Sequence, residues 1–189
     1  MKILQKEALV LRETAKSVPL EKIKTANIQK ILKEMRMAVD SQEDGVAIAA
    51  PQIGYGLRIF IISHKVADLA EKIKKTTPNN IEQDKKIKIL KNTIFINPVI
   101  KKLSKKKNVV EEGCLSVRYL YGKVRRSDKA VIEAYDEKGK KFTYGGSGLM
   151  AQIFQHEVDH LNGILFIDKA KYVEEIIPPH LVDYGKSKK

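Results

Sequence analysis

The chain of 189 residues has no tryptophan and one cysteine, and aromatic residues make up only 6% of it. A single cysteine excludes an intrachain disulfide, so the fold must be held by its core, which one domain of this length can supply. Sparse aromatics that are not interleaved with basic positions leave out the pattern by which nucleic-acid bases are stacked and read. No apolar run approaches the roughly 20 residues of a membrane-spanning helix, and Arg58 and Lys65 bracket the most apolar segment, 57–62. The first seven residues carry Lys2, Lys6 and Glu7 where a secretory signal needs an apolar stretch, so a cytoplasmic protein is expected. Acid is also scarce: 36 Lys and Arg face 23 Asp and Glu, a formal charge of +13. Residues 65–107 hold 13 lysines and four acids. Such a surface attracts polyanions such as RNA, although a solvated lysine-rich face is the simpler reading.

No internal repeat and no Pro- or Gly-rich linker divides the chain, so residues 1–189 read as a single domain. A basic surface insertion is expected at about 64–92, with a short helix near 66–75, and a flexible tail at about 185–189. Ile28, Ile31, Leu32, Met35 and Val39 recur at helical spacing and predict an amphipathic helix over 20–39, with Pro19 at its start. The runs 57–63, 93–97, 108–117 and 123–126 read as strands, and 131–135 and 141–144 flank the hairpin turn signal Asp136-Glu137-Lys138-Gly139. Ser147 predicts the start of a helix running to about Leu161, with Asn162-Gly163 at its end. Met150, Phe154 and Leu161 form one stripe of that helix, beside a second stripe that carries Leu149, Ile153, His156 and His160, so the helix is largely buried. A further helix is expected over 169–177. Strands followed by a buried helix indicate an α+β fold.

The buried helix carries His156-Glu157-Val158-Asp159-His160, the pattern H-E-x-x-H. Residues four apart share a helix face, so both imidazoles can meet one metal ion, while Glu157 can reach its water without ligating it. Two histidines on the buried side of an apolar helix need polar partners in any case, and a metal supplies them. A catalytic site needs a third ligand. The Gly-x-x-His continuation of some zinc proteases fails here, because Phe166 stands where the histidine should be. Glu174 or Glu175 is one source of that ligand; Cys114, in Glu111-Glu112-Gly113-Cys114-Leu115-Ser116, is the better one. Three protein ligands plus an open position describe a catalytic metal rather than a structural one.

At this point three segments resemble those of the peptide deformylase family. Asp44–Gln52 is similar to its first motif, G-x-G-x-A-A-x-Q; Glu112–Ser116 matches E-G-C-L-S, and Gln155–His160 matches Q-H-E-x-D-H. The resemblance runs from about Leu4 to Asp168. It implies an α+β fold with mixed and antiparallel sheets around a central metal-bearing helix. It further implies Cys114, His156 and His160 as metal ligands and Glu157 as catalytic acid/base. Gln52 and the backbone N–H of Leu115 would be the donors to the oxyanion. Gly45, Val46 and Ala47 would lie along the substrate backbone, and Leu149 and Ile153 can line a methionine pocket or simply pack. The ion implied is one divalent metal, Fe2+ in the cell, with Zn2+, Ni2+ or Co2+ in preparations. The partners implied are the formyl-methionyl N-termini of nascent chains, with a transient ribosome contact through the basic surface and no membrane.

The chain departs from that family where Ala47 replaces the second motif glycine and where Arg118 stands in a common proline position. Tyr121 also stands where some members carry a substrate-contacting arginine, and Gln152 adds a polar group to the pocket side of the helix. Glu112 and Arg126 form a candidate supporting ion pair. Two other functions fit the residues: a zinc endopeptidase that uses Glu174 or Glu175, and a basic RNA- or ribosome-binding module with a structural metal.

Overall fold

The computed structural model describes residues 2–76 and 92–178. Most of the predicted insertion and the whole of the predicted flexible tail lie outside the described residues. Helix α1 spans Ala26–Asp40 and buries Ile28, Ile31, Leu32, Met35 and Val39 as the spacing predicts. It starts later than expected. Leu20–Lys22 form a separate 3-10 turn after Pro19, with Leu20 half exposed and Ile23 buried in the core just after it, and the helix begins only after Thr25.

Five strands, β1 (Ala47–Ala49), β2 (Ile59–Ile62), β3 (Thr93–Leu103), β6 (Lys129–Tyr135) and β7 (Lys141–Ser147), form an antiparallel sheet in the order β1-β2-β3-β6-β7. Every residue of β2 is buried because the sheet is covered on both faces. Alternate side chains of a strand point to opposite faces. Ile59 and Ile61 therefore join α1 in one cluster, while Phe60 and Ile62 join Met150, Ile153 and Phe154 in another. The second cluster contains Phe60 stacked on Phe95 at 4.5 Å between centroids. Each large side chain buried in this way contributes about 1.5–3 kcal/mol.

The residues of that second cluster from 150 to 154 belong to α3, Gly148–His160, which is the predicted metal-bearing helix. A smaller antiparallel sheet comprises β4 (Lys107–Cys114), β5 (Val117–Ser127) and β8 (Val173–Glu175), in the order β4-β5-β8. Contacts with both sheets place α3 between them. The predicted strand 123–126 is thus the end of a longer one. Within the predicted insertion, α2 occupies Val66–Thr76.

The helix expected over 169–177 is not formed. Phe166–Asp168 make a 3-10 turn, and β8 then pairs Val173, Glu174 and Glu175 with Gly122, Tyr121 and Leu120. The large apolar residues of the segment, Tyr172, Val173, Ile176 and Ile177, remain exposed, so no buried face holds a helix there. Gly122 makes the strand pairing feasible. A Cβ at that position would lie 2.8 Å from the Tyr172 carbonyl oxygen and 2.9 Å from Ala170 Cβ.

Candidate metal centre and its cleft

Gln155 fastens α3 to β5. Its Oε1 accepts from the Ser127 N–H at 3.0 Å, and its Nε2 donates to the Ser127 carbonyl at 3.0 Å and to that of Ala151 at 2.7 Å. This two-way bond fixes the rotation of the helix and turns His156 and His160 to one side, with ring centroids 5.0 Å apart. The third group arrives from the tight β4–β5 connection, where Cys114 pairs with Val117 and the register shifts between Gly113 and Cys114. That irregularity aims the thiol at the helix, and Cys114 Sγ lies 3.1 Å from His160 Nε2. One donor atom from each of Cys114, His156 and His160 lies within 4.8 Å of the other two.

The surroundings of these donors fit a divalent cation. His156 Nδ1 lies 3.0 Å from the Glu112 carboxylate, and a bond there leaves Nε2 free for the cluster, the usual arrangement for a ligating histidine. Glu112 is itself held by Arg126, whose Nε and Nη2 donate to its two oxygens at 2.8 and 2.9 Å. Arg126 Nη1 also donates to Asp159 at 2.5 Å, and Lys169 Nζ reaches the same carboxylate at 2.6 Å. Burial alone would raise the pKa of Glu112, but its bonds to Arg126 and His156 outweigh that and lower it to about 2. Among the described residues, two buried side-chain polar atoms have no hydrogen-bond partner: Glu157 Oε2 and His160 Nδ1. Both belong to this cluster. An unpaired buried polar atom is costly, and such atoms collect where function requires them. Burial pushes the Glu157 pKa up to about 7.

The cluster opens into a cleft of about 930 Å³, lined by Cys114, His156 and Glu157 together with Gln52 and Leu115. Val46, Ala47, Leu149 and Ile153 line it as well. His160 and Gly45 do not. His160 is buried behind Cys114, and Gly45 packs against the end of α1, where a Cβ would meet the Val39 carbonyl oxygen at 2.7 Å. Gln52 is buried, with Oε1 accepting from the Ala49 N–H at 2.8 Å; its Nε2 lies 3.1 Å from Ser116 Oγ and 3.5 Å from Cys114 Sγ. Glu174 and Glu175 lie exposed on β8, outside both the cleft lining and the donor cluster. Gln152 lines the cleft and donates to the Glu111 carbonyl.

Asp159 and Lys169 escaped the sequence reading, as did the two-way bond of Gln155. The acid of Q-H-E-x-D-H was the available signal for Asp159, because an aspartate on a buried helix needs a cation. Arg126 answers that need, and the buried ion pair it makes with Glu112 confirms the candidate pairing.

Two imidazoles four residues apart, a thiol from a neighbouring strand and an unpaired acid beside an open cleft make up a candidate site for one metal ion, of the kind that metal-dependent hydrolases use. The family model for polypeptide deformylase matches residues 1–175, and the chain belongs to that family. It is 38% identical over 160 residues to peptide deformylase 1A, chloroplastic/mitochondrial, of Arabidopsis thaliana; the match covers 85% of this chain and 57% of that one. It is 38% identical over 153 residues to peptide deformylase 2 of Clostridium acetobutylicum, covering 81% of this chain and 85% of the other. The chain therefore spans little more than half of the plant relative and most of the bacterial one. Among solved structures, a peptide deformylase from Synechococcus elongatus in complex with actinonin superposes with a TM-score of 0.72. Its sequence identity is 27%, over 91% of this chain and 79% of that one. No helix among the described residues is long and apolar enough to cross a membrane.

Proposed function

We propose that this chain hydrolyses the N-formyl group of formyl-methionyl N-termini on newly made polypeptides, releasing formate. The observation that carries the reading is the convergence of Cys114, His156 and His160 beside the unpaired carboxylate of Glu157. Cys114, His156 and His160 hold one divalent ion, Fe2+ in the cell, with Zn2+, Ni2+ or Co2+ accepted in preparations. Bound there, the ion supplies an activated water at neutral pH and polarises the formyl oxygen.

The residues of the chain do the rest. Glu157 takes a proton from the attacking water and returns it to the departing amine nitrogen. The Gln52 amide, turned toward the cluster by the bond from Ala49, donates to the developing oxyanion together with the backbone N–H of Leu115. Each such donor is worth about 3 kcal/mol. β1 and β4 are edge strands of the two sheets, and the residues beside them line the same cleft. An extended peptide lies between these edges and bonds to their free backbone groups. Val46 and Ala47 flank its backbone, Gly45 shapes the turn that presents them, and Leu149 and Ile153 receive the methionine side chain.

The reaction takes place in the cytoplasm, on chains leaving the ribosome, with the basic surface making a transient contact there. Formate release from a formyl-methionyl peptide by anaerobically iron-loaded protein, beside a Glu157→Ala control, tests this reading. No formate from the loaded wild type overturns it, and so does full metal retention in Cys114→Ser.

A further inference from the structure

Unpaired cations gather where the two sheets join. The chain passes from β3 to β4 through residues 104–106 and from β5 to β6 through Asp128, so both crossings lie at one corner. Backbone bonds tie them together: the Ser104 N–H donates to the Lys129 carbonyl at 2.9 Å, and the Asp128 N–H to the Lys106 carbonyl at 3.0 Å. The Ser104 hydroxyl adds a bond in each direction. It donates to the Lys106 carbonyl at 2.8 Å and accepts from the Lys129 N–H at 3.0 Å. The corner is a fixed turn.

Five of the residues 101–107 are lysines, and all five are exposed. Lys102 pairs with Val131, two residues from Lys129, so the two lysines sit diagonally on one face, roughly 7–8 Å apart at the backbone. Lys107 and Arg125 stand in the same relation, because Lys107 pairs with Ser127 and Val109 with Arg125. Side chains alternate along a strand. Arg126 bonds to Asp159 of α3 and Ala130 packs in the cluster of Phe154, so Arg125 and Lys129 point away from α3, one on the outside of each sheet. Lys106 reaches Asp128 at 3.8 Å; the other four lysines of 101–107, with Arg125 and Lys129, have no side-chain bond among the described residues. Arg12, Arg36, Arg118 and Lys141, elsewhere on the surface, each pair with an acid. Like charges held together by the backbone repel one another, and a polyanion relieves that repulsion. Residues 101–109 and 123–129 contain no aromatic side chain, so phosphates are engaged here and bases are not stacked.

We propose that this corner docks the chain on double-helical RNA, its cations on the outsides of the two sheets engaging the two phosphate strands that border one groove. The inference deepens the deformylase reading, which sets the enzyme to work on chains leaving an RNA-rich particle. Docking there leaves the cleft open: β4 runs from Lys107 at the corner to Cys114 at the metal centre, a span of roughly 23 Å. The test is fluorescence anisotropy of a labelled RNA duplex of about 16 base pairs with the metal-loaded protein. Binding is expected to weaken steeply with salt. The triple variant Lys102→Gln, Lys105→Gln, Lys129→Gln should bind about 10- to 100-fold more weakly at about 0.1 M salt, with a salt slope shallower by about three. The corresponding arginine triple should restore binding. A control of equal charge, Lys22→Gln, Lys24→Gln, Lys33→Gln, should bind within about twofold of the wild type. Both glutamine variants should release formate from formyl-Met-Ala-Ser at the wild-type rate, which shows the fold intact. Equal losses in the two glutamine variants overturn the proposal, because net charge would then suffice. Tighter binding to single-stranded RNA, or to vesicles of phosphatidylglycerol and phosphatidylcholine, overturns it as well. Formate release without duplex binding sinks this proposal alone, whereas duplex binding without formate release sinks the deformylase reading.

Discussion

Around the metal centre, carboxylates occur in two conditions. Beneath the donor cluster, Glu112 and Asp159 are buried and bonded to Arg126, with side-chain exposures of 2%, 12% and 5% respectively. Glu157, on the same helix as Asp159, is equally enclosed but has an oxygen with no partner. The difference separates structure from chemistry. A buried acid with its full set of donors is held still and holds others still, whereas a buried acid left short of a partner keeps a lone pair available for a proton. Removing Glu157 should therefore damage only the reaction, and removing Arg126 should damage the fold.

The largest effect tests the first half of that contrast. Glu157→Gln is expected to lower formate release by about 10²- to 10⁴-fold, the usual range for a positioned acid/base. Its melting temperature should equal or exceed that of the wild type, because the variant removes a buried carboxylate that has no cation. A large fall in melting temperature would show that Glu157 carries structural weight and would erase the distinction.

Arg126→Met tests the second half. It leaves Glu112 and Asp159 buried without their shared cation, a loss of about 3–5 kcal/mol. In a domain of this size that corresponds to a fall of about 10 °C in melting temperature. Acid should produce the same injury in the wild type. The pKa of Glu112 is lowered from 4.5 to about 2, so its stabilisation is complete above the unfolded value and is lost as the pH falls through about 2. Acid unfolding curves of the wild type and Glu112→Gln should therefore diverge above this window and converge below it.

A smaller effect lies between the two sets. Glu112→Gln keeps the shape of the side chain but weakens its hold on His156, and metal affinity should fall about 10- to 100-fold. Competition with a chelator measures it. Unchanged affinity would mean that the donors are positioned without help from the acid–arginine pair.

What could be read from the sequence follows from how local each feature is. The histidine pair was legible because a helix brings positions four apart together, and Cys114 because its motif keeps the ligand within a short segment. The burial of α1 followed from the spacing of its apolar residues, and β2 was legible as a strand from its apolar run. The strand at Val173–Glu175 was not legible, because its pairing depends on the missing side chain of Gly122, about fifty residues earlier. The joint claim of Arg126 on Glu112 and Asp159 links three separate segments, and only the fold reveals that one arginine answers both acids. The lining of the cleft is still less local. Glu43, Asp68 and Glu111, three acids that line the cleft, come from three segments of a basic chain, and no window of sequence brings them into one lining.

Those cleft-lining acids supply the smallest predicted effect on stability. Glu43, Asp68 and Glu111 are exposed and unbonded among the described residues, so replacing each by its amide removes no contact. Such surface changes stay within about 0.5 kcal/mol, and the melting temperature of the triple variant Glu43→Gln, Asp68→Asn, Glu111→Gln should lie within about 2 °C of the wild type. A substantial fall instead would mean that the three acids are bonded within the fold, like Glu112 and Asp159, and the contrast between bonded and unbonded carboxylates would then stop at Glu157.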